Sequence, residues 1–193
     1  MSNELPKIAI IGYGTMGKEI EKAAKKDGFE ICATFDIDNP LSISSNCDFD
    51  VAIDFSTASA VYDNVRTLAA HGKNVVIGAT GWYEMMPLIQ DIVAQNNIGL
   101  LWASNFSIGM NIFMKITQVA AKLINLAPGY DAYISEAHHR RKRDCPSGSA
   151  LTLGEIILKE FKSKDNFVFG NPEGVISPDS LQITSVRAGD ELG

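Results

Sequence analysis

Near its start the chain has the sequence Ile8-Ala9-Ile10-Ile11-Gly12-Tyr13-Gly14-Thr15-Met16-Gly17, an apolar run followed by three glycines spaced as G-x-G-x-x-G. When such a loop joins a strand to a helix, the first glycine permits the tight turn, the second lets the backbone approach a pyrophosphate, and the third lets helix and strand pack closely. Residues 18–26, which follow the loop, have helical character. Glycine-rich turns are common, so the motif alone is weak, but in this position it predicts the first strand, loop and helix of a dinucleotide-binding domain.

The alternation of apolar strands with helices continues to about residue 106. Further strands are predicted at 29–35, 50–55, 74–79 and 99–103, and further helices at 58–71 and 84–95. Short apolar strands that are buried on both faces and separated by helices are typical of a parallel sheet. Residues 1–106 are therefore predicted to form an α/β domain with a doubly wound parallel sheet of the Rossmann type.

The pattern changes after Asn105. The sequence predicts a long amphipathic helix at 108–125, a strand at 130–137, a second helix at 149–162 and a late strand at 181–186. Residues 107–193 are predicted to form a second, smaller α+β domain with a mixed sheet.

The composition excludes several classes of protein. At 193 residues and 46% hydrophobic, the chain can form one sizeable core or two modest ones. A formal charge of −6 argues against a nucleic-acid partner, because phosphate binding needs a broad basic face. No apolar run is long enough to span a membrane, the first residues lack the features of a signal peptide, and the three cysteines (Cys32, Cys47 and Cys145) have no metal-ligand spacing. We therefore expect a cytoplasmic protein that has no metal site and binds neither membranes nor nucleic acid.

Asp36 ends the second predicted strand, about twenty residues past the glycine motif, where an acidic side chain binds the adenosine ribose hydroxyls of NAD. Residues 36–45 contain no Lys or Arg to pair with the 2′-phosphate of NADPH, although Lys18 at the helix start partly compensates. The predicted cofactor is therefore NADH ahead of NADPH. In this part of the chain the predicted cofactor-binding residues are Gly12, Tyr13, Gly14, Thr15, Met16, Gly17 and Asp36.

Two further segments follow the fourth and fifth predicted strands, at the edge where an open α/β sheet binds its ligands. Small residues there would let the nicotinamide ribose approach the backbone, and Asn105 could hold the carboxamide. Each segment alone is nearly as consistent with ordinary turn chemistry. The predicted cofactor-binding residues are Gly78, Ala79, Thr80, Ala103, Ser104, Asn105 and Phe106.

Residues 136–149, E-A-H-H-R-R-K-R-D-C-P-S-G-S, carry a positive cluster that is unlike the rest of this acidic chain. The segment contains His138 and His139, four cations at 140–143, and a Pro-Ser-Gly-Ser that opens a helix. Cations beside the free N–H groups of a helix N-terminus suit a small polyanion, and histidines move protons near neutral pH. The sequence predicts an active site here, with the three arginines as solvated surface charge.

Together these motifs resemble the dihydrodipicolinate reductase family. Residues 136–150 match the family signature E-A-H-H-x-x-K-x-D-A-P-S-G-T-A, with Cys145 in place of alanine and Ser149 in place of threonine. The family's I-D-F-S/T, V-I-G-T-T-G and N-F-S-x-G-x-N stretches are similar to residues 53–56, 76–81 and 105–111. The basic signature is highly specific, whereas the glycine motif is shared with many dehydrogenases.

The resemblance implies NADH- or NADPH-dependent reduction of 4-hydroxy-tetrahydrodipicolinate to tetrahydrodipicolinate, in diaminopimelate and lysine biosynthesis, without a metal. It implies that His138 donates a proton and that Lys142 is a second acid or binds a substrate carboxylate. It also implies that His139, Gly148 and Ser149 bind the substrate, a cyclic dicarboxylate. The resemblance also implies a homotetramer, so a homo-oligomer is expected.

The chain departs from the family pattern in four places. Thr15 stands where the glycine loop commonly has an arginine, which weakens the case for NADPH, and Ala79 replaces the first threonine of G-T-T-G. Residues 37–49 form a much shorter connection than in many members, so one crossover helix is expected to be absent. The family continues past residue 193 with further strands and a returning helix, so the second domain is expected to be incomplete.

Two other functions stay open on the sequence alone. Neighbouring cations favour the thiolate of a cysteine, so another nicotinamide-dependent dehydrogenase of amino-acid metabolism could use Cys145 as its nucleophile. The alanine of the family signature at that position argues for an incidental cysteine. The second alternative is a non-catalytic subunit that binds a dinucleotide without turnover.

Overall fold

The computed structural model describes residues 4–46, 48–127 and 129–190. The chain divides into two compact units, Met1–Phe106 and Ser107–Gly193. Cofactor binding by the first unit and substrate binding by the second stay predictions. Within the described ranges, no helix has the length and apolar character needed to cross a membrane.

The first unit contains a five-stranded sheet with the order β2-β1-β3-β4-β5, and every neighbouring pair of strands is parallel. The doubly wound parallel sheet predicted from the sequence is confirmed. The strands are β1 (Ile8–Ile11), β2 (Ile31–Phe35), β3 (Val51–Asp54), β4 (Asn74–Ile77) and β5 (Leu100–Trp102). The helices are α1 (Thr15–Lys26), α2 (Ala58–Ala70) and α3 (Met86–Asn96), the last preceded by a 3-10 turn at Tyr83–Met85.

Strand β1 shows why this sheet forms. All four of its residues are buried. Side chains alternate between the two faces of a strand, and Ala9 and Ile11 belong to one buried cluster while Ile8 and Ile10 belong to another. The sheet is therefore covered on both faces, which is the arrangement that parallel sheets require.

The connection between β2 and β3 is short. Residues 36–46 and 48–50, the described part of this connection, contain no helix, which confirms the expected absence of a crossover helix. The connection contacts the residue that follows α2, because His71 Nε2 lies 3.0 Å from the carbonyl oxygen of Ile43.

The second unit packs two helices with a three-stranded sheet. Its elements are α4 (Ile108–Ile124), β6 (Tyr133–His138), α5 (Gly148–Glu160), β7 (Asn166–Phe169) and β8 (Ser180–Arg187). The sheet has the order β6-β8-β7, and both neighbouring pairs are parallel. The prediction of a mixed sheet is therefore wrong for the described strands. Helix α5 lies in the connection from β6 to β7, and the loop 170–179 connects β7 to β8. Each connection returns the chain to the end of the sheet where the strands begin, so the three strands run in one direction.

The core of the second unit lies between α5 and the sheet, around Ile134, Ile157, Leu181 and Ile183. Next to this core, Lys164 is buried and its Nζ makes three contacts that match its three donors. The partners are Asp131 Oδ1 at 2.6 Å, Pro178 O at 2.9 Å and Ser180 O at 2.8 Å. This lysine ties the chain before β6 to the segment that enters β8.

Candidate active site

The glycine loop of the first unit (residues 12–17) carries the chain from β1 into α1. Gly12 has φ +85°, and a Cβ at this position would lie 2.6 Å from backbone atoms of Phe55 and Ser56. A Cβ at Gly17 would lie 2.3 Å from the carbonyl oxygen of Gly12. Backbone atoms cannot move aside as a flexible side chain can, so the packing of the loop restricts both positions to glycine.

Gly14 differs from the other two glycines, because a Cβ built there would have no atom of the described residues within 4 Å. It lines an open cleft of about 310 Å³, together with Gly12, Asp36 and residues that follow β3. Helix α1 begins at Thr15, so its first N–H groups have no acceptor within the helix and can bind an anion. Open space at Gly14, free donors and a nearby carboxylate fit a dinucleotide.

The carboxylate of Asp36 is held at this cleft by a tight turn. The backbone of Asp36 pairs with that of Asn39 through N–H···O distances of 3.1 and 3.0 Å. The N–H of Ile37 donates to Asp36 Oδ1 at 2.9 Å. The side chain is exposed at the end of β2, where a ribose hydroxyl can bind it.

Asp54, at the end of β3, supports the same cleft from within the unit. It is fully buried, and its two oxygens accept from the N–H of Ser56 at 2.8 Å and from Asn64 Nδ2 at 2.9 Å. Asn64 Nδ2 also contacts Ser56 Oγ at 3.2 Å. Ser56 and Asn64 both line the cleft, so Asp54 fixes the loop after β3 against α2.

Gly78 makes room for an aromatic side chain. A Cβ at Gly78 would lie 2.0 Å from Cζ of Phe55, and the Phe55 ring lies 6.5 Å from the ring of Phe106, centroid to centroid. Ala79 is buried, and its carbonyl oxygen accepts from Trp82 Nε1 at 2.8 Å. The small residues after β4 thus have packing roles that the sequence did not indicate.

Of the predicted cofactor residues, Gly12, Gly14 and Asp36 line the cleft of the first unit. Gly17 and Ala79 are buried in packing. The side chain of Tyr13 is held on α1 by a hydrogen bond from its hydroxyl to Glu21. The remaining predicted residues lie at the start of α1 or after β4 and β5, outside the lining of this cleft: Thr15, Met16, Gly78, Thr80, Ala103, Ser104, Asn105 and Phe106.

In the second unit, Glu136 joins β6 to the basic loop (residues 139–146), to α5 and to β8. Its Oε1 accepts from the N–H of Ser147 at 2.9 Å and from Arg187 Nη2 at 2.8 Å. Arg187 Nη2 also donates to the carbonyl oxygen of Asp144 at 2.8 Å. Glu136 Oε2 lies 3.3 Å from His138 Nδ1. One carboxylate therefore contacts the predicted proton donor and, directly or through Arg187, the elements that surround it.

Strand geometry explains this arrangement. Glu136 and His138 are two residues apart on β6, so their side chains lie on the same face. In the parallel register, His138 is paired with Arg187 on β8. The arginine is thereby placed beside the carboxylate, with its side chain only 16% exposed and that of Glu136 9% exposed.

The surroundings of Glu136 favour its charged form. Burial by itself raises the pKa of this carboxyl, but hydrogen bonds from Ser147 and Arg187 outweigh it and lower the pKa from 4.5 to about 2. Arg187 gains from the same contact, because its hydrogen bond to Glu136 raises the guanidinium pKa. Glu136 is therefore a carboxylate, with acceptors only, at every physiological pH.

Helix α5 begins beside this carboxylate. Ser147 is the N-cap, and its Oγ accepts from the N–H of Ala150 at 3.1 Å. Gly148 and Ser149, the predicted substrate-binding pair, are the first two residues of the helix, and their N–H groups have no acceptor within it. These two donors suit a substrate carboxylate.

The cations of the basic loop divide into two groups. Lys142 Nζ lies 2.9 Å from Asp144 Oδ1, and its hydrogen bond lowers the pKa of that carboxyl. The side chains of Arg140 and Arg141 are two-thirds exposed and both pair with Asp190, as expected for surface charge. Lys142 is far less exposed, at 23%.

Sequence reasoning missed Glu136 and Arg187 as members of the site. Glu136 could have been found, because its i, i+2 spacing from His138 on a strand places both on one face. Arg187 could not have been found, because no sequence pattern links it to Glu136, 51 residues away. His139, another predicted substrate residue, is partly buried and its Nδ1 has no hydrogen bond among the described residues.

The described residues contain no group of three or more His, Cys, Asp or Glu side chains arranged to hold a metal ion. Cys145 is a free, exposed thiol. Neither finding bears on the proton transfer that His138 is predicted to perform.

Comparison with known proteins gives the family. The sequence model described as "Dihydrodipicolinate reductase, N-terminus" matches residues 6–106, and the one described as "Dihydrodipicolinate reductase, C-terminus" matches residues 109–193. Both descriptions name a reductase. The chain belongs to the dihydrodipicolinate reductase family, and the resemblance inferred from its motifs is confirmed.

Individual relatives agree with the family match. The 4-hydroxy-tetrahydrodipicolinate reductase of Christiangramia forsetii is 37% identical over 79% of this chain and 64% of its own length. Those of Methanocaldococcus jannaschii and Archaeoglobus fulgidus are 32% and 35% identical, each over 97% of this chain, and over 78% and 79% of their own lengths. The solved structure of a dipicolinate-bound dihydrodipicolinate reductase from a Paenisporosarcina species has a TM-score of 0.71 at 25% identity and covers 96% of this chain and 79% of that one. The chain thus spans between 64% and 79% of these relatives.

The depressed pKa of Glu136 predicts a pH dependence of stability. Because the folded-state pKa lies below the ordinary value, the stabilisation is present above about pH 4.5 and is lost as the pH falls towards 2. Between pH 6 and pH 3, the free energy of unfolding should fall by about 2 kcal/mol more in the wild type than in Glu136→Gln. Urea unfolding followed by circular dichroism measures this difference. Glu155→Gln, an exposed change on α5, should behave as the wild type, and a Glu136→Gln variant with the wild-type pH dependence would contradict the prediction.

Proposed function

We propose that the protein catalyses the NAD(P)H-dependent reduction of 4-hydroxy-tetrahydrodipicolinate to tetrahydrodipicolinate, a step of diaminopimelate and lysine biosynthesis. The named relatives share this activity in their names, and the family match extends over both units. The observation that carries the proposal is the arrangement around Glu136, where a histidine, a lysine-bearing loop and a helix N-terminus meet in the second unit.

The second unit (residues 107–193) binds the substrate in this proposal. The substrate is a small ring with two carboxylates, which explains a local excess of donors in an acidic chain. The N–H groups of Gly148 and Ser149 bind one carboxylate at the start of α5. His139 and Lys142 supply further donors, and Lys142 leaves its ion pair with Asp144 to do so.

The chemistry is a dehydration followed by a reduction. Loss of water from the substrate gives a conjugated ring, and the bound nicotinamide supplies the hydride that reduces it. His138 donates a proton to the carbon next to the reduced one, as a general acid. Lys142 is a second candidate for this role. The substrate loses one water and gains one hydride and one proton.

The first unit (residues 1–106) binds the dinucleotide, with NADH ahead of NADPH. The cleft beside Gly14 and the carboxylate of Asp36 support this assignment. The pyrophosphate binds at the start of α1, and Asp36 accepts from the ribose hydroxyls. The proposed contacts are Gly12, Tyr13, Gly14, Thr15, Met16, Gly17, Asp36, Gly78, Ala79, Thr80, Ala103, Ser104, Asn105 and Phe106.

We further propose a cytoplasmic homotetramer whose partner is this small dicarboxylate and not nucleic acid. The family resemblance supports the oligomer, and the net charge of −6 argues against binding to phosphate backbones.

A coupled assay tests the activity. Dihydrodipicolinate synthase generates the substrate, and oxidation of NADH or NADPH is followed by absorbance. The wild type should oxidise the cofactor only when the synthase and its substrates are present. Cys145→Ala should keep full activity, since alanine is the family residue at this position. Absence of turnover with both cofactors would overturn the proposal, and loss of turnover in Cys145→Ala would favour thiol chemistry instead.

Asp36 sets the cofactor preference in this proposal. Asp36→Ser should lower the ratio of kcat/KM for NADH to that for NADPH by about tenfold, because it removes a ribose acceptor and a charge that repels the 2′-phosphate. Asp38→Ser, two residues further along the same exposed turn, is the matched control and should keep the wild-type ratio. An unchanged ratio in Asp36→Ser would show that Asp36 does not select the cofactor.

A further inference from the structure

We propose that Glu136 is a positioning residue that sets the tautomer of His138: the carboxylate keeps the proton on Nδ1, so that Nε2 is the nitrogen that exchanges a proton with the substrate. The inference rests on the proposed function for the role of Nε2. The pairing of Glu136 with Nδ1 stands on the structure of the second unit alone.

Two buried atoms without an aligned hydrogen bond lie close together here, and Ser185 Oγ, which is also buried without one, helps to lower the pKa of Glu136. His138 Nδ1 and Glu136 Oε2 lie 3.3 Å apart. Both atoms are buried, and neither has a well-aligned hydrogen bond to any described residue. Burial of an unpaired donor or acceptor costs free energy, so a small rotation of the imidazole ring that aligns this pair is favourable.

The carboxylate cannot rotate away to serve another partner. Glu136 Oε1 is held by two donors, the N–H of Ser147 at 2.9 Å and Arg187 Nη2 at 2.8 Å. Arg187 is anchored in turn by the carbonyl oxygen of Asp144 at 2.8 Å. The second oxygen, Oε2, is thereby fixed towards the imidazole.

The charge state of Glu136 then decides which ring nitrogen bears hydrogen. With a pKa of about 2, Glu136 is ionised at neutral pH and offers acceptors only. An acceptor that faces Nδ1 requires hydrogen on Nδ1, and the neutral ring then carries its lone pair on Nε2. After protonation on Nε2, the ring can donate that proton, while Nδ1–H stays hydrogen-bonded to Glu136.

Substitution of Glu136 by glutamine should reverse the tautomer of His138 and keep the contacts with Ser147 and Arg187. In Glu136→Gln, the amide oxygen can still accept from Ser147 and Arg187, so the amide NH₂ is directed at His138. A donor that faces Nδ1 requires a lone pair there, which moves the hydrogen of the neutral ring to Nε2. A merely structural role for Glu136 predicts lower stability but no change of tautomer.

Nitrogen NMR reads the tautomer directly. The chain has three histidines, so ¹⁵N-histidine labelling and a two-bond ¹⁵N–¹H correlation spectrum give three ring patterns, and His138→Gln identifies the one that belongs to His138. The spectrum is recorded near pH 9, where imidazole is ordinarily neutral. We expect the Nδ1–H form in the wild type and the Nε2–H form in Glu136→Gln. An Nε2–H form in the wild type would overturn the proposal without reference to any variant.

Kinetics provide the second readout. Glu136→Gln should lower kcat by about 100-fold, which is within the range of general acid catalysis, and should leave both KM values within about twofold. Glu155→Gln, the same change at an exposed site on α5, should leave kcat unchanged. An unchanged kcat in Glu136→Gln would overturn the proposal. If the wild type itself does not turn over, the proposed function fails, while the NMR spectrum still decides whether Glu136 sets the tautomer.

Discussion

His138→Gln is expected to lower kcat for reduction of the substrate ring by about 100-fold or more, the contribution that a positioned general acid makes. Glutamine is similar in size but does not exchange a proton near neutral pH, so the ring carbon must be protonated by water or by Lys142. The affinity for NADH should not change, because His138 belongs to the second unit and the cleft that we propose for the dinucleotide belongs to the first. Steady-state kinetics and a fluorescence titration with NADH measure the two quantities.

The matched control is His71→Gln, which removes the histidine that follows α2, contacts the carbonyl oxygen of Ile43 and lies outside the proposed catalytic set. It should keep the wild-type kcat. If His138→Gln also keeps most of its kcat while Lys142→Met does not, the proton donor is Lys142. Loss of activity in all three variants would point to general destabilisation, which circular dichroism would reveal.

The fold of the first unit could be predicted from sequence because its signals are local. Strand β1 is apolar on both faces, and the three glycines mark the turn into α1 by chemistry that depends only on neighbouring residues. Strand β7 was missed because its four residues, Asn166–Phe169, are too few to establish a period. The direction of the strands in the second sheet also could not be predicted, because pairing of β6 with β8 brings together residues about fifty positions apart.

The candidate site also has a part that could be predicted from local sequence and a part that could not. His138, Lys142, Gly148 and Ser149 lie in one continuous signature, so their proximity could be inferred from sequence alone. The contact that organises them could not, because Arg187 reaches Glu136 only through the register of β8 on β6. Gly78 has a packing role that the sequence did not indicate, because a Cβ there would lie 2.0 Å from the ring of Phe55, and its contact with the cofactor stays a prediction. A sequence motif indicates which residue types a site contains. The role of each residue depends on its contacts with residues that are distant in the chain, and these contacts could not be predicted.

The two glycines at the start of α1 should separate folding from binding. Gly17→Ala is expected to lower the free energy of unfolding of the first unit by about 3 kcal/mol, because its Cβ would lie 2.3 Å from the carbonyl oxygen of Gly12 and would force β1 and α1 apart. Gly14→Ala should change it by less than about 1 kcal/mol, since no atom of the described part of the chain lies within 4 Å of a Cβ there and the backbone is extended at φ −78° and ψ −153°.

Gly14→Ala should instead lower the affinity for NADH. Its methyl group would project into the cleft where the backbone must approach the pyrophosphate, so Gly14→Ala should weaken NADH binding by about tenfold or more despite normal stability. Both tryptophans, Trp82 and Trp102, lie in the first unit, so their fluorescence during urea unfolding reports that unit alone. Gly14→Ala with wild-type affinity would place the pyrophosphate elsewhere, and Gly17→Ala with wild-type stability would mean that the loop relaxes around the added methyl. Gly14→Ala alters only the space that the ligand needs, whereas Gly17→Ala alters the packing of the backbone that forms this space. The two variants together therefore separate the binding role of the loop from its packing role.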